Sequence, residues 1–201
     1  MQDDFSHLPW LSRTERGLYV ESIALTDIAA QHGTPAWIYS KQALSKHWQA
    51  FADALSGRKA LICYAMKANP NLSILRFFAE AGAGFDIVSG GELARVLQAG
   101  GLASTIVFSG VGKRRDEIRD ALKAGVKCFN VESAAELRRI GAIAADLGLR
   151  APISLRVNPD VDARSHPYIS TGLKDNKFGV PIDEALSVYQ RASALPGIHI
   201  S

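Results

Sequence analysis

The chain has 201 residues, of which 47% are hydrophobic and 21% charged, and its formal net charge is +3. These proportions are typical of a folded globular protein and exclude a disordered chain. Its 23 basic and 20 acidic side chains are interspersed, so nothing in the charge indicates a nucleic-acid partner. No apolar stretch approaches the roughly 18 residues of a spanning helix and no leader opens the chain, so we expect a cytoplasmic protein without a membrane partner.

The first 34 residues show no repeating unit, although residues 17–25 and 36–40 could each form a strand. We therefore expect residues 1–34 to belong to a separate layer or domain from residues 35–201. From residue 59 onward, apolar runs alternate with amphipathic segments, as in successive βα units. The runs are residues 60–66, 85–88, 105–108, 127–131 and 153–157, and a sixth begins after Gly197. Because the runs are nearly continuous, they predict strands of a parallel sheet buried on both faces.

Repeated βα units form either an open doubly wound sheet or a closed barrel. The turn after the first strand reads KANPN at residues 67–71, without the G-x-G-x-x-G of dinucleotide-binding sheets. We therefore predict a (β/α)8 barrel of the TIM type. Since a barrel needs eight strands, we expect it to be incomplete in this chain.

The two cysteines and the basic cluster of the sequence have simple structural interpretations. Cys63 and Cys128 each lie in an apolar run without a metal-ligand spacing, so we predict buried free thiols and no metal site. The basic cluster at residues 113–115 is followed by Asp116 and Glu117, which indicates a solvated helix start. By contrast, residues 158–179 form a loop long enough to predict a function for it.

Polar residues end most of the apolar runs, and in a parallel barrel these ends converge at one mouth. They are Lys67, Asp86, Ser89, Ser109, Glu132, Ser133, Arg156 and Asn158. Lys67 follows the most apolar run, where a partly desolvated amine would attack a carbonyl well, although a lysine at a strand end can also simply reach solvent.

The other candidates also allow two interpretations. Asp86 could pair with a lysine amine or accept a structural hydrogen bond. Arg156, within an apolar strand, needs an anion, which could be a structural carboxylate or a cofactor or substrate group. The turn at residues 89–92 (SGGE) could offer amides to an anion or serve only as a tight βα turn.

Three ordered motifs resemble the fold-type III pyridoxal-phosphate decarboxylases: residues 64–69 (YAMKAN), 84–92 (GFDIVSGGE) and 155–159 (LRVNP). The resemblance implies an alanine-racemase-like barrel, a β domain built from both chain ends, and pyridoxal 5′-phosphate as cofactor. It also implies that Lys67 is the Schiff-base lysine, with Asp86 beside it and Arg156 near the cofactor ring. The remaining implied cofactor-binding residues are Asn69, Ser89, Glu92 and Asn158.

Residues 166–172 (HPYISTG) and 177–179 (KFG) are similar to the diaminopimelate branch of this family. That similarity implies decarboxylation of meso-diaminopimelate to L-lysine and CO₂ by a homodimer with shared active sites. The alternatives are an ornithine- or arginine-type decarboxylase and a non-catalytic relative that binds pyridoxal phosphate. The family's stacking histidine, phosphate-binding loop and partner of the pyridine nitrogen are implied after Ser201, so the 201 residues alone are not expected to decarboxylate.

Overall fold

A computed structural model describes residues 8–159, 161 and 178–201. The chain divides into two compact units, Met1–Ala60 and Leu61–Ser201. The units therefore separate later in the chain than the domain boundary predicted after residue 34. Assignment of residues 1–34 to a β domain stays a prediction.

From residue 8 onward, the first unit contains a three-stranded antiparallel sheet and two helices. The strands are β1 (Leu11–Thr14), β2 (Gly17–Val20) and β3 (Ile23–Ala24), and the helices are α1 (Leu25–His32) and α2 (Lys41–Ala54). The strand predicted over residues 17–25 is therefore a short hairpin followed by a helix. It turns at Glu21, whose φ of 56° is in the left-handed region.

The strand predicted over residues 36–40 is wrong. In the described residues this segment pairs with no strand, and Trp37 is 92% exposed. A strand needs a neighbour for its backbone hydrogen bonds, and a run of apolar letters does not supply one. The segment instead ends at Ser40, whose hydroxyl accepts from the Ala43 amide at 3.0 Å and caps α2. That hydroxyl also donates to the Glu21 carboxylate at 2.7 Å.

In the described residues, the second unit alternates strands and helices, except for three consecutive strands before its last helix. In chain order they are β4 (Cys63–Ala65), α3 (Leu72–Glu80), β5 (Gly84–Ile87), α4 (Gly90–Gln98), β6 (Ile106–Phe108), α5 (Arg115–Ala124), β7 (Cys128–Val131), α6 (Ala134–Asp146), β8 (Ala151–Leu155), β9 (Val157–Asn158), β10 (Val180–Pro181), α7 (Ile182–Ser193) and β11 (Ile198–Ile200). The predicted alternation is thus confirmed. The strands β4, β6 and β7 are shorter than their apolar runs, whereas β5 and β8 are as long as theirs.

The main sheet is parallel and has the strand order β4-β5-β6-β7-β8-β11. Each strand lies beside the strand of the preceding βα unit, without the reversal of a doubly wound sheet. Strictly sequential order is the arrangement of a (β/α) barrel, and six of its eight strands are present in the described residues. The carboxyl ends of all six strands face the same way, so the residues that follow them share one edge.

The two faces of this sheet differ, which corrects the prediction of strands buried on both sides. Phe85, Phe108 and Phe129 are fully buried on the face that the helices cover. Side chains alternate between faces along a strand, so Asp86 and Asn130 point to the opposite face and are only half-buried. The apolar runs hid this alternation because apolar residues outnumber polar ones in each of them.

Lys113 also contradicts its predicted place in a solvated cluster, because it is 1% exposed. Its ammonium donates to the Glu136 carboxylate at 2.8 Å, to the Gly110 carbonyl at 2.7 Å and to the Asn130 carbonyl at 2.8 Å. Burial of an ammonium is tolerated only when it is paired and hydrogen-bonded in this way. Arg114, beside it, is exposed as predicted.

Both cysteines are free; Cys128 is buried as predicted, whereas Cys63 is half-buried. Burial raises the pKa of the Cys63 thiol, and the negative charge of Asp86 raises it further against a smaller opposing effect of Lys127. None of the described helices is both long and apolar enough to cross a membrane. The described residues also contain no cluster of three or more metal-ligating side chains.

We expect Lys113→Met to lower the free energy of unfolding by about 3–5 kcal/mol, because it leaves the Glu136 carboxylate buried without its counter-ion. Urea denaturation measures the loss. The double variant Lys113→Met/Glu136→Gln should recover part of it, since no unpaired charge remains. Arg114→Ala is the matched control and should leave the free energy unchanged. A loss no larger than that of the control would contradict the buried pair.

We also expect Cys63 to react slowly with iodoacetamide near neutral pH. Only the thiolate reacts, and a raised pKa shrinks the thiolate fraction about tenfold for each pKa unit. The midpoint of alkylation against pH, followed by peptide mass spectrometry, should lie above that of a free cysteine peptide. Asp86→Asn removes the added negative charge and should move the midpoint to lower pH. Alkylation as fast as that of the free peptide would contradict a raised pKa of the Cys63 thiol.

Candidate active site

A cavity of about 390 Å³ lies at the shared carboxyl edge of the main sheet. Its size falls in the range of small-molecule sites. Its walls come from the ends of five consecutive units of the sheet. The lining residues are Lys67, Asp86, Val88, Ser109, Gly110, Asn130, Leu155 and Arg156. The structure thus brings Lys67, Asp86 and Arg156 to one cavity, as expected for residues at the shared edge of parallel strands.

Lys67 lies in a 3₁₀ turn, Met66–Ala68, directly after β4, and not at the end of a strand. Its side chain is exposed, so the expected dry amine is wrong for the chain as described. The reason is its place directly after β4, which is the edge strand of the described sheet and has a strand neighbour on one side only. The backbone before it is well fixed, because Met66 is fully buried.

The loop after Lys67 is held by hydrogen bonds from two directions. Arg95 on α4 donates from Nε and Nη2 to the Pro70 carbonyl at 3.0 and 2.9 Å. Within the loop, the Asn69 side chain accepts from the Asn71 amide at 3.0 Å, and the Tyr64 hydroxyl donates to the Asn69 carbonyl at 3.2 Å. The amine therefore extends from a backbone that is anchored on both sides.

Asp86 is in β5, opposite Ala65 of β4. Its Oδ1 accepts a short hydrogen bond from the Ser109 hydroxyl. The structural hydrogen bond considered for this carboxylate is therefore present, while its half-buried position on the cavity wall leaves it accessible from the cavity. Because the Asp86 carboxylate lines the cavity, it can accept a hydrogen bond from a donor group of a ligand.

Arg156 is not inside a strand, as the sequence indicated, but at the break between β8 and β9. Its side chain is 45% exposed, so the expected cost of burial is avoided. Nη1 donates to both oxygens of the buried Glu132 carboxylate, at 3.1 and 3.4 Å. The same carboxylate accepts from the Gly110 amide at 3.1 Å. Arg156 thus has a structural carboxylate partner and still presents part of its guanidinium to the cavity.

The last two residues of the predicted loop, Phe178 and Gly179, also contact Arg156. The Phe178 ring lies 5.4 Å from the guanidinium carbon, within the range of a cation–π contact. Gly179 has a φ of 93°, and a Cβ there would lie 2.6 Å from the Arg156 carbonyl oxygen. Only glycine fits this close approach, which brings Val180 into a 2.7 Å hydrogen bond with the same carbonyl.

The other four residues predicted to bind cofactor do not line this cavity. Asn69 occupies the turn after Lys67, and Asn158 is buried in β9. Ser89 caps α4 by accepting from the Glu92 amide at 3.2 Å, and the Glu92 carboxylate accepts from the Val88 amide at 2.6 Å. The SGGE turn therefore closes on itself as a helix cap. Cofactor binding by these four residues stays a prediction.

Asn130 and Ser154 are polar residues of the site region that were not singled out from the sequence. Asn130 donates from its amide to Ser109 Oγ at 2.9 Å, and Ser154 donates to Asn130 Oδ1 at 2.6 Å. Each lies between apolar neighbours inside a predominantly apolar run, which is a usable signal for the face opposite the helices. The functional loop predicted over residues 158–179, including the motif at 166–172, lies mostly outside the described residues.

Comparison with known proteins identifies relatives of this chain. Residues 41–201 match the family model described as pyridoxal-dependent decarboxylase, pyridoxal binding domain. The diaminopimelate decarboxylase of Pseudomonas aeruginosa is 57% identical over 183 residues, which cover 91% of this chain and 44% of that protein. The chain thus spans less than half the length of this relative.

Solved structures agree with this result. The diaminopimelate decarboxylase of Helicobacter pylori, complexed with L-lysine, superposes with a TM-score of 0.84 at 47% identity and covers 87% of this chain and 44% of its own. The enzyme from M. jannaschii, also in complex with L-lysine, gives a TM-score of 0.88 at 32% identity, covering 96% of this chain and 46% of its own. With the family model matching residues 41–201, this chain belongs to the pyridoxal-dependent decarboxylases and carries their pyridoxal-binding domain.

Proposed function

We propose that the protein of which this chain is part decarboxylates meso-diaminopimelate to L-lysine and CO₂ with pyridoxal 5′-phosphate as cofactor. The observation that carries the proposal is the convergence of an amine, a carboxylate and a guanidinium on one cavity: Lys67, Asp86 and Arg156. Each of these groups can contribute to binding an aldehyde cofactor. Their combination distinguishes this site from an ordinary surface cleft.

The residues present fit this cofactor. The Lys67 amine is accessible at the cavity and forms no ion pair with any described residue, so it is free to bond to an aldehyde carbon. The cavity of about 390 Å³ is of the right order for a small aromatic ligand. Arg156 offers a guanidinium edge to a phenolate or carboxylate oxygen, and Asp86 offers an acceptor to a protonated nitrogen.

When bound, pyridoxal phosphate would supply an electron sink for the charge left by loss of CO₂. The protein's own side chains would then hold and orient the cofactor and the substrate. Lys67 would hold the cofactor through its ε-amine until a substrate amine takes its place. The Glu132 pair fixes one edge of the Arg156 guanidinium, so that its donors meet an incoming anion without first being reoriented.

The substrate assignment depends on two kinds of support. Residues 166–172 and 177–179 are similar to the diaminopimelate branch, and the relatives from Pseudomonas aeruginosa and Helicobacter pylori carry that enzyme's name. An ornithine- or arginine-type decarboxylase is the second candidate, because it would use the same lysine motif. We further propose a cytoplasmic homodimer with shared active sites; the free cysteines are compatible with a reducing compartment.

Borohydride reduction of the full-length protein with pyridoxal phosphate should attach a pyridoxyl group to Lys67, because reduction fixes a carbon–nitrogen bond between amine and aldehyde. Peptide mass spectrometry locates the adduct. Lys67→Ala should lose both the adduct and CO₂ release. Lys123→Ala, which removes an exposed lysine from α5, is the matched control and should keep both. An adduct on another lysine in the unchanged protein would contradict the proposed site.

Release of CO₂ from meso-diaminopimelate, ornithine and arginine by the full-length protein distinguishes the candidates. We expect turnover of diaminopimelate only. Turnover of ornithine or arginine in its place would favour the polyamine-type enzyme, and a Lys67 adduct without any CO₂ release would favour a non-catalytic relative.

A further inference from the structure

Four polar side chains form a continuous line of hydrogen bonds beside the cavity. The Ser154 hydroxyl donates to Asn130 Oδ1 at 2.6 Å, and the Asn130 amide donates to Ser109 Oγ at 2.9 Å. The Ser109 hydroxyl donates in turn to Asp86 Oδ1. The line runs from β8 through β7 and the end of β6 to β5. We name these four residues the polar relay.

The register of the sheet produces this line. Asn130 lies directly opposite Ser154 in the pairing of β7 with β8. Asp86 lies opposite Val107 of β6, and Ser109 is two residues beyond Val107, so it belongs to the same face. The relay therefore follows neighbouring positions on one face of four successive strands.

The chemistry of the amide gives the relay one direction. The Asn130 nitrogen can only donate and its oxygen can only accept, so with the nitrogen toward Ser109 that hydroxyl must accept from it. The single hydroxyl proton of Ser109 is then left for Asp86, which must accept it. The relay thus supplies a donor to an ionised carboxylate. The opposite direction would set oxygen lone pairs of Ser109 against the Asp86 charge.

The relay is also anchored from outside the cavity. The carbonyl of Asn130 accepts from the buried Lys113 ammonium at 2.8 Å, and the same ammonium holds the Gly110 carbonyl, one residue after Ser109. Both middle members are thereby fixed at their backbones. Polar groups on a half-buried face cost free energy unless they are hydrogen-bonded. Val107 lies on the same face, so this face also accepts an apolar residue.

We propose that the other three members of the relay are positioning residues, which hold the Asp86 carboxylate in one orientation toward the pyridoxal cofactor. The inference rests on the proposed cofactor site. Ser154 gives the sharpest test, because it does not line the cavity and can reach the cofactor only through the relay.

The experiment measures the dissociation constant of pyridoxal phosphate for the full-length protein by fluorescence titration, without any turnover. Ser109→Ala should weaken binding about 10- to 100-fold, the range for one hydrogen bond to a charged group. Ser154→Ala should weaken it less, because two links of the relay remain. Ser109→Thr and Ser154→Thr keep the hydroxyls and should restore binding.

Dependence on Asp86 separates the relay from a merely structural role. In an Asp86→Asn background, Ser154→Ala should weaken binding no further, because the charge that the relay orients is gone. Ser187→Ala, on the exposed face of α7, is the control and should bind like the parent. Urea denaturation checks that each variant is folded; if Ser109→Ala is not, the Ser154 series decides.

Parent-like binding by the folded alanine variants would overturn the proposal, and so would an undiminished Ser154→Ala effect in the Asp86→Asn background. A parent that binds pyridoxal phosphate but releases no CO₂ from diaminopimelate would overturn the proposed reaction and leave the relay standing. A parent that binds no pyridoxal phosphate would overturn both.

Discussion

Alternation of side chains along parallel strands is the constraint on which this structure depends. One face of each strand must fill the space under the helices, and Phe85, Phe108 and Phe129 do so completely. Asp86 and Asn130, which follow Phe85 and Phe129 along their strands, therefore point to the other face. There they meet a cavity instead of a second apolar layer. Core and site are therefore two sides of the same few residues, and a slip of one position in register would exchange them.

Charge at the carboxyl edge is balanced in two linked pairs. Glu136 neutralises the buried Lys113, and its second oxygen accepts from the Glu132 amide at 2.7 Å. Glu132 in turn holds Arg156 at the cavity. The pairs thus join the loops after β6 and β7 to the break after β8. Because each buried charge has a partner inside the chain, the part of Arg156 that faces the cavity is oriented before any ligand arrives.

Much of the fold could be predicted from the sequence, because apolar runs and helical stripes are local signals. The order of βα units followed from them, and so did the convergence of Lys67, Asp86 and Arg156, since parallel strands share an edge. Burial was less predictable. Lys113 looked like part of an exposed cluster, because its partner Glu136 is 23 residues away and nothing local indicates that contact. Residues 36–40 looked like a strand because hydropathy does not report whether a neighbour exists.

Polar residues inside apolar runs carried more information than the runs themselves. A lone asparagine such as Asn130 costs free energy on a buried face unless every polar atom is satisfied, so its presence indicates a partner. Here the partners are Ser154 on β8 and Ser109 at the end of β6, and the line they form ends at the Asp86 carboxylate, which lines the same cavity as Lys67. The Lys67 side chain is exposed, so its contacts fix the amine less than hydrogen bonds fix the other polar groups of the cavity, and those groups set most of the site's geometry.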